Sequence, residues 1–307
     1  MIVASTPSYY LMKSDIKNIA TYTIISDPGV DDIIALLLLS KLSPKREHTL
    51  VSTFGNAPEE HTAQNAKEFV SLVAPHWFYA NGPKHPVKPL AHAWPSYFHG
   101  ADGVCGIHPT VNTTNIKTCK EFGKVRNTVS LGPMTGVYDI VRKGEIKNIT
   151  IMGGAIHAPG NETTYAETNI AFDPEAAEYV FTHCRNTNVS VVPLDVTKQV
   201  FWTKDDINRI PEDNPHKTWI KKILFTWFEN YGGKQESVFH LHDPLAIYSM
   251  YFPNDLEWRI SGINVVTTGA ERGRMVPNGA NPPCKIASEV HNSSRIAQRI
   301  FEIVFSD

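Results

Sequence analysis

The chain has 307 residues, 29 basic and 31 acidic, so its formal net charge is −2, with 42% hydrophobic and 20% charged residues. That balance excludes a disordered chain, a collagen-like repeat and a basic surface drawing in nucleic acid or an anionic membrane. Four scattered cysteines, Cys105, Cys119, Cys184 and Cys284, form no C-x-x-C pair and are expected as buried free thiols.

In chain order, Met1–Ala20 lacks the apolar core of a signal peptide. The best apolar run, Ile33–Leu39, is roughly a third of a bilayer span, so a cytoplasmic protein with no membrane partner is expected. Strands are predicted at Tyr22–Ser26, Thr49–Gly55, Trp77–Ala80, Asn127–Leu131, Ile149–Gly153 and Val189–Leu194. Helices are predicted at Asp31–Leu42, Glu59–Val73, Met134–Lys143 and Pro174–Thr182. The strands are rich in Val, Ile and Thr without strict alternation, as in strands covered on both faces. Strand–helix repetition then implies an α/β fold with a mostly parallel central sheet flanked by helices. Past residue 200, helices are expected at Lys204–Ile210, Lys217–Asn230, Pro244–Tyr251 and Ser293–Phe305, with a strand at Trp258–Val266. Asn81–Gly106 and Gly269–Pro283 read as long loops, and residues 1–307 as one domain with a helical segment near the active site.

Three constellations carry chemistry. Ser26-Asp27-Pro28-Gly29-Val30-Asp31-Asp32 sets three carboxylates between an apolar strand and an apolar helix, where open α/β sheets bind ligands. Clustered anions need a cation or raised pKa values, and an oxygen-rich set suits Ca²⁺ or Mg²⁺. Asp31 and Asp32 would equally offset a helix dipole. The second is His242-Asp243-Pro244, where Asp243 could cap a helix, yet His240 and His242 crowd the same spot. A histidine there can act as a general acid. The third runs from Met152-Gly153-Gly154-Ala155 through Asn161 and Glu167-Thr168-Asn169 to Asp173-Pro174-Glu175, a polar loop suited to binding several hydroxyls.

Together with Gly55-Asn56, Gly132-Pro133-x-Thr135 and Phe172-Asp173-Pro174-Glu175-Ala176-Ala177, these motifs resemble the inosine-uridine preferring nucleoside hydrolases, in family order from about residue 20 to 305. The resemblance implies a Rossmann-like nucleoside hydrolase fold and hydrolysis of ribonucleosides to ribose and free base around a bound Ca²⁺. By position, Asp27, Asp32, Asp243 and the Leu131 carbonyl would hold the metal, and Asp27 would activate the attacking water. Asp31, Asn56 and Asn169 would hold the 2′- and 3′-hydroxyls, Asn161 and Glu167 the 5′-hydroxyl, and Met152 would line the sugar pocket. His242 would protonate or stabilise the leaving base, as the nonspecific or pyrimidine-preferring branch does. His99, Phe228 and Tyr231 are candidates for lining the base pocket, although helix packing explains Phe228 and Tyr231 equally. A homodimer or homotetramer is implied as well.

Three stretches depart from the family pattern. Ile25 stands where an Asp is usual, Gly136 where an Asn is usual, and Arg272–Pro277 replaces a Gly-x-x-x-x-Asp strand. A catalytically impaired nucleoside- or ribose-binding homologue is therefore the alternative. A Mg²⁺ phosphohydrolase would want an Asp-x-Asp-x-Thr nucleophile motif, which the sequence lacks.

Overall fold

A computed structural model describes residues 20–89, 96–119, 126–144, 146–234 and 236–306, so most of the Met1–Ala20 reading lies outside the described residues. The strands are β1 Thr23–Ser26, β2 Thr49–Ser52, β3 Phe78–Asn81, β4 Lys117–Thr118, β5 Asn127–Ser130, β6 Asn148–Met152, β7 Asn188–Val192, β8 Phe201–Thr203, β9 Val238–His240, β10 Leu256–Val265, β11 Met275–Asn278 and β12 Cys284–Val290. The helices are α1 Val30–Leu42, α2 Glu59–Leu72, α3 Ser96–His99, α4 Thr135–Lys143, α5 Thr168–Phe172, α6 Pro174–His183, α7 Leu194–Thr197, α8 Lys204–Asn208, α9 Pro215–Asn230, α10 His242–Tyr251 and α11 Ser293–Phe305.

Ten strands form one sheet in the order β11-β10-β12-β7-β6-β5-β1-β2-β3-β4. From β12 to β4 every neighbouring pair is parallel. β10 runs antiparallel to both β11 and β12. Short strands β8 and β9 pair as a separate antiparallel ribbon.

Successive side chains of a strand face opposite ways, and here both faces are buried. Ile24, Leu50 and Val129 pack with α1, α2, α9, α10 and α11 on one face. Ile25, Val51, Ile149 and Ile151 pack with α4 and α6 on the other. α1 is apolar nearly all round because it lies in the interior, with Ile34, Leu36, Leu38 and Leu39 fully buried. Asp32 starts this helix, since its Oδ2 accepts the Gly29 amide at 3.0 Å.

Two expectations need correction. The Gly269–Pro283 stretch contains β11, and β12 follows it where no strand is predicted. Its Cys284 and Ile286 face inward while Lys285 is exposed, an alternation that pairing with β10 and β7 completes. The Asn81–Gly106 loop contains α3, although residues 90–95 lie outside the described residues. Among the described residues no helix is long and apolar enough to cross a membrane.

Candidate active site

The chain leaves β1 toward β2 on one side and β5 on the other, so the strand order reverses at β1. Crevices at such reversals open outside the carboxyl ends of the strands. Asp27 follows β1 directly, Leu131 follows β5, Met152 ends β6, and Asn56 lies just past β2. α1 and α10 pack together, which brings their first turns, with Asp31, Asp32 and Asp243, to the same point. One carboxylate oxygen from each of these three lies within 4.8 Å of the other two.

Asp27 sits in a glycine cradle. A Cβ on Gly132 would lie 2.4 Å from its Oδ1, and one on Gly55 would lie 1.9 Å from its Oδ2. Only glycine fits at either position, and Gly55 also has a φ of +154°. Asp27 Oδ2 accepts the Asn56 amide at 2.7 Å. The Asn56 side chain donates to the Asp27 carbonyl and to Asp32 Oδ2, both at 3.0 Å. Asp32 Oδ1 accepts the Ser26 hydroxyl at 2.6 Å. Asp27 Oδ1 and Asp243 Oδ1 are buried without a hydrogen-bond partner.

Burial, with repulsion from Asp32, raises the Asp27 and Asp243 carboxyls well above the usual range. Asp31 rises to about 8 for the same two reasons, and burial raises Asp32. Two orphaned oxygens, an all-oxygen donor set and mutual repulsion fit a hard divalent cation. The oxygens that converge are those of Asp31, Asp32 and Asp243. Asp27 lies outside that trio and is joined to Asp32 through the Asn56 side chain, and the Leu131 carbonyl accepts from Asn169.

Above this floor lies a cavity of about 300 Å³. Asp31, Asn56, His99, Leu131, Met152, Asn161, Glu167, Asn169, His242 and Asp243 all line it. Asn169 Nδ2 donates to the carbonyls of Leu131 at 2.8 Å and Met152 at 3.2 Å. Glu167 caps α5, accepting the amides of Gly154, Asn169 and Ile170. Burial nonetheless pushes its carboxyl up to about 7. Asn161 Oδ1 accepts the Thr168 amide at 3.0 Å.

His242 pairs through Nδ1 with the Thr197 hydroxyl at 2.7 Å. Burial, then the neighbouring His240, lowers it to about 3, so the ring is neutral. His99 accepts the Val30 amide on Nδ1 at 3.3 Å and sets Nε2 3.9 Å from Asp31. Burial lowers it also to about 3.

Phe228 and Tyr231 do not line the cavity. Phe228 stands edge-on to the Trp227 ring at 4.9 Å, and Tyr231 faces Gly100. Phe98, Gly160, Glu162, Lys198 and Glu236 also line the cavity, and no sequence motif pointed to them. Lys198 and Glu236 reach the cavity from either side of the β8–β9 ribbon, which no apolar run announced.

Residues 24–297 match the family model described as inosine-uridine preferring nucleoside hydrolase. A probable uridine nucleosidase 2 from Oryza sativa subsp. japonica is 29% identical over 273 residues, covering 81% of this chain and 79% of that protein. The pyrimidine-specific ribonucleoside hydrolase RihA of Salmonella paratyphi B is 34% identical over 243 residues, covering 72% and 76%. The solved plant nucleoside hydrolase PpNRh1 superposes with a TM-score of 0.84 at 24% identity, over 94% of this chain and 99% of that one.

Proposed function

The chain belongs to the inosine-uridine preferring nucleoside hydrolase family, and from that premise we propose that it cleaves the N-glycosidic bond of ribonucleosides, with uridine-type or broad inosine and uridine preference. The observation that carries this reading is the buried carboxylate floor, with two orphaned oxygens, facing a neutral histidine across one small cavity. The named activities of the rice and Salmonella relatives support the pyrimidine side of the preference.

A Ca²⁺ ion held by Asp27, Asp32, Asp243 and the Leu131 carbonyl would supply the charge that keeps these carboxylates ionised and acidifies water. Asp27 then acts as general base, because its unpartnered Oδ1 can take a proton while Asn56 holds Oδ2 in place. Departure of the base leaves oxocarbenium character on ribose, which the anionic floor stabilises. Asp31, Asn56 and Asn169 offer acceptors to the ribose diol, and Asn161 and Glu167 line the same cavity and would meet the 5′-hydroxyl. Met152 closes one side of the sugar pocket. With the Thr197 hydroxyl donating to Nδ1, His242 carries its hydrogen on Nε2 and donates to the leaving base.

The test is a panel of ribo- and deoxyribonucleosides with Ca²⁺, read as reducing sugar, with and without chelator. Uridine or inosine is expected to yield base and ribose, and Asp27→Asn to lower kcat by ~10²–10⁴-fold. Failure to release sugar from any ribonucleoside would sink this reading.

A further inference from the structure

β8 and β9 pair with Phe201 opposite His240, which fixes one wall of the cavity. Lys198 stands three residues before Phe201, and His242 two after His240. The Thr197–His242 hydrogen bond ties the two approaches together at the base of that wall. Lys198, Glu236, His240 and His242 all line the cavity. Glu236 Oε2 lies 3.5 Å from His240 Nε2, and the His240 and His242 rings are 5.4 Å apart. The Lys198 ammonium touches the Pro159 carbonyl at 3.2 Å, and an ammonium has further hydrogens to give. His242, which the hydrolase reading sets against the leaving base, lines the cavity together with these residues, so on that reading the base of a bound nucleoside faces this wall.

The wall therefore presents an ammonium donor, a carboxylate acceptor and an imidazole donor. Uracil presents the complement on its free edge: carbonyl, N–H, carbonyl. Hypoxanthine has one carbonyl and the adjacent N–H. Cytosine and adenine turn a ring-nitrogen lone pair toward the place of that N–H, and against a carboxylate this is repulsive.

We propose that Glu236, flanked by Lys198 and His240, reads the lactam N–H of the leaving base and selects uracil over cytosine, with hypoxanthine between them. The inference rests on the hydrolase reading and names the substrate class of the same site. The Glu236 side chain is 42% exposed and keeps His240 as a partner, so a ligand that presents a lone pair to it is disfavoured only moderately.

The experiment compares kcat/KM for uridine and cytidine in the unaltered protein, Glu236→Gln and Lys198→Met. 4-Nitrophenyl β-D-ribofuranoside serves as a substrate without a lactam edge. The unaltered protein is expected to favour uridine by about 10–100-fold. Glu236→Gln should cut that ratio at least tenfold, because an amide can donate to the cytosine ring nitrogen. Lys198→Met should lower uridine turnover more than nitrophenyl riboside turnover. A ratio of one or less in the unaltered protein, or one that Glu236→Gln leaves in place, overturns the proposal. If neither nucleosides nor nitrophenyl riboside are hydrolysed, the hydrolase reading fails. The same variants then report the uridine-to-cytidine affinity ratio by calorimetry, with the same two outcomes.

Discussion

His242 is half-buried and lines the cavity. With the ring lowered to about 3 and so neutral, what it would offer a departing base under the proposed function is a hydrogen bond that tightens as negative charge develops. The need for that donor depends on the leaving group. His242→Ala is expected to lower kcat for uridine by ~10²–10⁴-fold. For 4-nitrophenyl riboside, whose phenolate leaves without help, the loss should stay within about tenfold. Equal losses on both substrates would assign His242 to positioning alone. The sequence exposed the residues of this kind that sit on turns between strand and helix: Asp27, Asp31, Asp32, Asn56 and Asp243. Their backbone positions follow from local turn chemistry. It could not separate Phe228 from a pocket residue, because an aromatic side chain on an amphipathic helix looks the same whether it faces a core or a cavity.

At the scale of elements, β1 shows how two departures from the family pattern answer one another. Ile25 is fully buried and faces α4, and a Cβ on Gly136 would lie 2.9 Å from its Cγ2. An apolar branched side chain and a glycine thus occupy one space, so Ile25 leaves no unpaired polar group behind the acid floor. Gly136→Asn is expected to destabilise the protein by about 1–3 kcal/mol through overpacking, measured by urea unfolding. Adding Ile25→Ala should recover part of that loss, and strictly additive effects would show that the two residues do not share the space. The parallel strands were legible because burial on both faces writes a continuous Val/Ile/Thr run. β8, β9 and β11 have three or four residues each. None of them writes a continuous apolar run, since Pro277 and Asn278 end β11 and β8 and β9 stop after three residues, so Lys198 and Glu236 had no local signature, whereas His240 stood out beside His242.

For the molecule as a whole, the acid floor couples folding to pH and to cation. Asp27, Asp31, Asp32 and Asp243 have raised pKa values in the fold, Asp31 to about 8. The folded, cation-free state therefore binds more protons than the unfolded chain above the usual carboxylate range, and its stability falls as pH rises. Below about pH 6.5 the depressed His99 and His242 act in the opposite sense, since they resist protonation only when folded. Above that pH they are neutral in both states, and the carboxylates set the slope. The chelated protein should lose Tm between pH 6.5 and 8, while excess Ca²⁺ should offset the loss. At a hundred times Kd an ion bound only by the folded state would contribute about 2.7 kcal/mol, a Tm rise of roughly 4 °C for a chain of this length. A Tm difference between Ca²⁺ and chelator that stays constant over this range would refute the coupling.

The floor also has a history in time. Asp27, Asp31 and Asp32 lie near the start of the chain, and Asp243 follows more than two hundred residues later. At a synthesis rate of ~5–20 residues per second, the first three would wait ~10–40 s on the ribosome for the fourth. During that interval α1 has no α10 to pack against, and its apolar surface stands open. α1 is thus fully covered only once the carboxyl-terminal helices α9, α10 and α11 have been made, so the first acids of the floor are the last part of the site to be enclosed.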